Sequence, residues 1–162
     1  MTLTIIRHAI AVPSGTEGIS DDERPLTKKG RRRFAKTARG LAEICRRPDV
    51  LLTSPLPRAS ETADIAAEVW GGPAPISEPV LAHGSVDDII AMLARYAGDQ
   101  QVVMVGHEPA VSTLLARLLG SSAPERFTFR KGGAAQVDLP GVPAEGGRLE
   151  WFMRPKLLRA LG

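Results

Sequence analysis

Leu3-Thr4-Ile5-Ile6-Arg7-His8-Ala9 is an apolar run that ends in a cationic pair and opens into a loop rich in Gly, Pro, Ser and Asp. A short apolar run bounded this way predicts a buried strand from Leu3 to Arg7. Arg7 and His8 then lie at its carboxyl edge, where ligands bind in open α/β sheets. A guanidinium brings fixed charge and a bidentate fork. A neutral imidazole serves as nucleophile or general base. Together they suit a phosphoryl group. The pair taken alone has a plain alternative, in which His8 only hydrogen-bonds the loop.

Outward from this strand, strand-like and helical runs alternate. Thr27 to Arg47 predicts a helix with Phe34, Ala38, Leu41 and Cys45 on one stripe, which makes Cys45 a core residue rather than a reactive thiol. Asp49 to Thr53 predicts a second strand. Ser54-Pro55 reads as an N-cap with proline at the first helical position, and the helix runs to Trp70 before Gly71-Gly72-Pro73. Pro75 to Leu81 is expected to be loop with a short strand. Ser85 to Ala97 predicts a helix that opens on a capping box with Asp88. Gln101 to Gly106, with four apolar residues in succession, predicts a strand covered on both faces. A helix from Pro109 to Leu119 follows. Phe127 to Arg130, Ala134 to Leu139 and Arg148 to Met153 then read as antiparallel strands, and Leu157 to Leu161 as a short docked helix. The expected fold is a three-layer α/β/α sandwich with a mostly parallel central sheet and an antiparallel C-terminal part. Nothing resembling a linker divides residues 1–162, so one domain is expected.

Composition narrows the function classes. The chain is 43% hydrophobic and 24% charged, which fits a globular protein and not a disordered one. No apolar run approaches the roughly 20 residues that span a bilayer, and the first residues lack the flanks of a signal peptide. The single Cys45 fits a reducing compartment. A cytoplasmic protein without a membrane partner is the expectation. The net charge of +3 and the pI near 9.4 favour acidic or phosphorylated partners. Lys28, Lys29, Arg31, Arg32 and Arg33 form a basic cluster without interleaved aromatics, and a solvated helix face accounts for it better than a nucleic-acid platform. The apolar stripes are all accounted for by a core, so a monomer is expected.

Three strand–helix junctions carry candidate chemistry: Arg7-His8-Ala9, Thr53-Ser54-Pro55-Leu56-Pro57-Arg58, and Val105-Gly106-His107-Glu108-Pro109. Strands of one parallel sheet share a carboxyl edge, so the three can converge. Each residue has an alternative reading. Arg58 pairs with Glu61 or Glu78 at the surface, or His107 only enters a helix. Three such junctions in one chain make coincidence a poor account. The three histidines, His8, His83 and His107, are far apart in sequence and form no evident metal cluster.

The order of these motifs resembles the histidine phosphatase superfamily (phosphoglycerate mutase-like), and within it the small SixA-type phosphohistidine phosphatases. The resemblance runs through Ile6-Arg7-His8-Ala9, Arg24-Pro25-Leu26-Thr27 with Gly30, Thr53-Ser54-Pro55 with Arg58-Ala59 and Glu61-Thr62, and Val105-Gly106-His107. It implies a phosphatase in which His8 attacks phosphorus and becomes a phosphohistidine. Arg7 and Arg58 would bind the phosphoryl oxygens, and His107 would add a hydrogen bond or charge. Phosphoryl transfer is loose, so positioning and charge around three equatorial oxygens suffice, and the arginines stand in for a metal ion. No cofactor and no metal is expected. His8 must be neutral, and its second ring nitrogen should donate to a backbone carbonyl. Arg24 either contacts phosphate or pairs with Asp21, Asp22 or Glu23.

Two positions depart from the family pattern. Ala9 stands where the family usually has Gly. The general acid beyond the second helix has no assured match: His83 is the first candidate and Glu78 and Asp87 follow, while a solvated loop is the alternative for His83. Weak acid catalysis hurts alkyl phosphates more than P–N bonds, whose imidazole leaves readily. The short segment between the second helix and the third strand leaves no room for a large lid. Both features point to protein phosphohistidine as substrate, with a small-molecule phosphomonoesterase or a non-catalytic phosphoprotein-binding module as the alternatives.

Overall fold

β1 (Thr2–Arg7) is paired on both sides along its length, which is why it is apolar at every interior position but Thr4. The computed structural model describes residues 1–96, 98 and 100–162. It adds five strands to β1: β2 (Val50–Thr53), β3 (Ile76–Ser77), β4 (Gln101–Gly106), β5 (Ala134–Asp138) and β6 (Arg148–Met153). The sheet order is β3-β2-β4-β1-β5-β6. The first four strands run parallel, and β5 and β6 are antiparallel additions.

The period-two alternation of side chains sorts the sheet into two cores. Leu3, Ile5, Leu52 and Met104 face α4 (Val86–Leu93) and α5 (Ala110–Leu118). Ile6, Leu51, Val103 and Val105 face α1 (Lys28–Ile44), α2 (Pro57–Trp70) and α6 (Pro155–Leu161). Helices therefore cover both faces, giving the three-layer α/β/α sandwich with its antiparallel C-terminal part. A short α3 (Val80–His83) fills a stretch expected to be loop. No helix among the described residues is long and apolar enough to cross a membrane.

Several expected boundaries move, each for a local reason. α1 stops at Ile44 and not at Arg47: Cys45 turns extended, and Pro48 has no N–H for the Ile44 carbonyl and would clash with it in a continued helix. Cys45 packs half-buried against the second core, and burial pushes its thiol up to about 12, as befits a structural cysteine. α2 begins at Pro57 and has no side-chain cap, so Ser54 is not its N-cap and Pro55 is not its first residue. The capping box of Ser85 and Asp88 is present, and α4 passes into a 3₁₀ turn over Ala94–Tyr96. The helix end expected at Ala97 lies outside the described residues. Phe127 to Arg130 is not a strand. Pro124–Phe127 forms a 3₁₀ turn, and Phe129 then gives its N–H to Glu108 Oε1 and its carbonyl to Arg7 Nη1. Its backbone bonds go to side chains, so no strand pairing remains for them.

Gly30 brings α1 against the loop that follows His8. A Cβ there would sit 2.1 Å from the carbonyl oxygen of Ile10, which is backbone and already accepts from Thr27 N–H. Gly30→Ala should lower stability by about 1–3 kcal/mol through overpacking, read as a lower urea midpoint at unchanged m-value.

Candidate active site

Parallel pairing carries the three junctions to one level. Arg7 pairs with Gly106 across β1 and β4, and Thr53 pairs with Val105 across β2 and β4. The pairing continues one residue further: His8 N–H donates to Gly106 O at 3.0 Å and Ser54 N–H to Val105 O at 3.1 Å. Arg7-His8, Ser54 and His107 thereby meet at the carboxyl edge, and α2 adds Arg58 from its first turn.

His8 is buried, with its ring centroid 5.1 Å from that of His107. Its Nδ1 lies 2.7 Å from the carbonyl of Ala9. A carbonyl can only accept, so Nδ1 carries the proton and the lone pair stands on Nε2. Burial, partly offset by that hydrogen bond, pulls the His8 pKa down to about 3, and His107, Arg58 and Arg7 add to the depression. Desolvation is the largest cause, and it keeps the imidazole neutral. Ala9 adopts ordinary backbone angles, so its Cβ costs nothing where glycine is usual. Its N–H donates to Thr62 Oγ1 at 3.0 Å, and the Thr62 hydroxyl donates to Arg58 O at 2.6 Å. One hydroxyl thereby ties the backbone beside His8 to the helix that carries Arg58.

The cations surround the imidazoles. Arg7 Nη1 donates to Phe129 O at 2.6 Å, and Arg58 Nη1 donates to Asp21 O at 2.6 Å. The Nε–H groups of both arginines are buried and have no partner in the protein. Buried donors are nearly always paired, so these two are available to the oxygens of an anion. Arg24 donates to Asp21 Oδ1 at 2.9 Å and to Val12 O at 2.8 Å, and Arg58 Nη2 lies 3.5 Å from Asp21 Oδ2. The hydrogen bonds from Arg24 and Ser14 hold the Asp21 carboxyl down at about 2. Arg24 therefore sits beside Arg58 with the Asp21 carboxylate between them.

His107 Nε2 bonds Ser54 Oγ at 2.8 Å, and Ser54 Oγ also accepts from Leu56 N–H at 3.2 Å. This explains why Ser54 is buried and caps no helix. Burial, with Arg58, His83, Arg24 and Arg7 nearby, lowers the His107 pKa to about 4. Glu108 accepts from Ser112 Oγ and Phe129 N–H, and its charge offsets part of the depression that burial imposes on Arg7.

The acid candidates separate. The His83 side chain is 70% exposed on the rim, 4.0 Å from Asp22. Glu78 is committed elsewhere, its Oε1 accepting from Arg95 at 2.7 Å and from Tyr96 OH at 3.1 Å. Asp87 is exposed at the start of α4. Arg58 pairs with neither Glu61 nor Glu78; Glu61 pairs with Arg31. Sequence reasoning named Asp21 only as a partner for Arg24 and gave Thr62 and Glu108 no role. No group of three potential metal ligands occurs among the described residues.

The two neutral imidazoles set a pH dependence of stability. Their pKa values are about 3 and 4 in the folded chain and about 6.5 when unfolded, so as pH falls the unfolded chain takes up protons first. Their contribution is whole above about pH 6.5 and is lost toward about pH 4 and below. At pH 5 each should cost about 2 kcal/mol relative to pH 8, measurable as a drop in the urea midpoint.

The architecture recurs in known proteins. The protein histidine phosphatase SixA complexed with tungstate superposes at a TM-score of 0.84 with 28% identity, covering 98% of this chain and 99% of that one. The alpha-ribazole phosphatase of Shigella flexneri, at 20% identity, 96% and 97% coverage and a TM-score of 0.77, shares the fold. An uncharacterised protein of Picosynechococcus sp. is 32% identical over 136 residues, 82% of each chain. The family model of the histidine phosphatase superfamily, branch 1, matches residues 3–83, which hold β1 from Leu3 onward, His8, the Arg24 loop, Ser54 and Arg58. With the edge of its sheet arranged around that match, this chain belongs to the histidine phosphatase superfamily.

Proposed function

We propose that this phosphatase removes the phosphoryl group from protein phosphohistidine through a covalent intermediate on His8. One observation carries the proposal: the proton of the His8 ring is held on Nδ1 by Ala9 O, so a neutral Nε2 lone pair stands among Arg7, Arg58 and His107. In the first step Nε2 bonds to phosphorus as the bond from phosphorus to the substrate imidazole nitrogen breaks. Arg7 and Arg58 turn their unpaired Nε–H groups to the phosphoryl oxygens and hold charge that spreads over them in the loose transition state. The leaving nitrogen takes its proton from water or from His83 at the rim. Water then attacks phosphorus on His8, inorganic phosphate leaves, and Nε2 regains its lone pair.

The choice of a P–N bond is supported by the acid candidates. Glu78 is held by Arg95 and His83 is largely solvated, so neither is a firmly placed donor for a poor alkoxide leaving group. It is supported also by the likeness to SixA, a protein histidine phosphatase at 28% identity. Phosphate release with EDTA present, from a phosphohistidine-bearing protein and from an alkyl phosphate, tests the reading. Release from the phosphohistidine protein in clear excess is expected. Equal or faster alkyl-phosphate turnover would move the assignment to a small-molecule phosphomonoesterase. Phosphate binding without release from either would make the chain a binding module.

A further inference from the structure

We infer that an arginine-lined groove beside the active site docks an acidic segment flanking the phosphohistidine of a protein substrate; this rests on the substrate class proposed above. The groove, of about 510 Å³, is lined by Arg126, Arg130 and Arg154 together with Phe152 and Met153. It shares Glu125 and Thr128 with a second cleft of about 450 Å³ that reaches Arg7 and Glu108. The two adjoin at these residues, so a segment lying in the groove lies next to the cleft that Arg7 lines. Arg130 is close enough for its charge to be felt at Arg7.

Charge identifies the occupant. Arg24, Arg31, Arg95 and Arg148 all hold carboxylate partners. Arg126, Arg130 and Arg154 have no side-chain hydrogen bond or ion pair among the described residues. Glu125 is the one acid lining the groove, which leaves an excess of two positive charges. Phe152 is 37% exposed and packs on buried Phe129 with centroids 4.7 Å apart, so it is an anchored apolar platform among exposed cations. Arginine beside an anchored aromatic is the composition of a protein-binding surface. The groove lies along edge strand β6, outside the cradle that holds the phosphoryl group.

The test uses two peptides phosphorylated on histidine, one flanked by glutamates and one by lysines, with free phosphohistidine as a small substrate. The wild-type protein should show a KM about tenfold lower for the acidic peptide at low salt, shrinking as salt rises. Arg126→Glu/Arg154→Glu should erase or invert that preference and leave kcat and free phosphohistidine turnover unchanged. Arg126→Lys/Arg154→Lys should keep most of it. Equal KM for both peptides in the wild type, or a preference that survives charge reversal, overturns the docking groove while phosphohistidine hydrolysis stands. Alkyl-phosphate turnover with no release from either peptide or from free phosphohistidine overturns the substrate class, and the groove with it.

Discussion

His8→Asn should abolish turnover, lowering phosphate release by about 10⁴-fold or more, the scale seen when a nucleophile is removed from a site whose other parts remain. Asparagine is chosen because its amide can still donate to Ala9 O, as Nδ1 does, while nothing replaces the Nε2 lone pair. The variant should still bind inorganic phosphate, since Arg7, Arg58 and His107 are untouched. It should also lose less stability on acidification than the wild type, because one of the two imidazoles that protonate only on unfolding is gone. Rapid-quench labelling with a radioactive phosphohistidine substrate would show an acid-labile phosphoenzyme in the wild type and none in His8→Asn. A fully active His8→Asn protein would remove His8 from the chemistry altogether.

The second large effect is expected at Arg58. Arg58→Ala should cost about 10²–10³-fold in kcat, the price of one preorganised donor aimed at developing charge. The substitution removes a buried guanidinium with an unpaired Nε–H and also releases Asp21 O, to which Arg58 Nη1 donates. The loop carrying Asp21 and Arg24 then loses an anchor, so KM should rise as well. Arg58→Lys should recover little. Lysine keeps the charge but lacks the fork that serves the Asp21 carbonyl with one nitrogen while presenting another to phosphate. Steady-state kinetics of the three proteins, with competition by inorganic phosphate, separates the kcat loss from the KM loss.

Much of this could be read from the residues because the chemistry sits where the pattern changes. β1, β2 and β4 are largely apolar runs, and each hands over to a polar junction, so Arg7, His8, Arg58 and His107 stood out together. What escaped were the individual side-chain bonds to partners distant in sequence. Ser54-Pro55 before a helix looks the same whether the hydroxyl caps that helix or bonds His107 from the neighbouring strand. Phe127 to Arg130 has the composition of a strand, and only Glu108 and Arg7 reveal that its backbone is bonded to side chains. Residues 12–25 carry no periodicity at all, so the bridge that Asp21 makes between Arg24 and Arg58 left no signal beyond three acids near an arginine. Thr62 was legible as part of the Glu61-Thr62 motif, but not its hydroxyl's link between Ala9 N–H and Arg58 O.

The strand order has one more implication, for how the protein comes into being. β4 lies between β1 and β2, yet it is made after both. Until Gln101–Gly106 slides into that gap, the two earlier strands have no common neighbour, and His8 and Ser54 no shared edge. A chain still short of β4 should therefore be catalytically silent, however well its first helices have formed. Because such non-local pairing is slow to assemble, recovered activity after denaturant dilution should lag behind recovered helical signal and mark the moment the middle strand is seated.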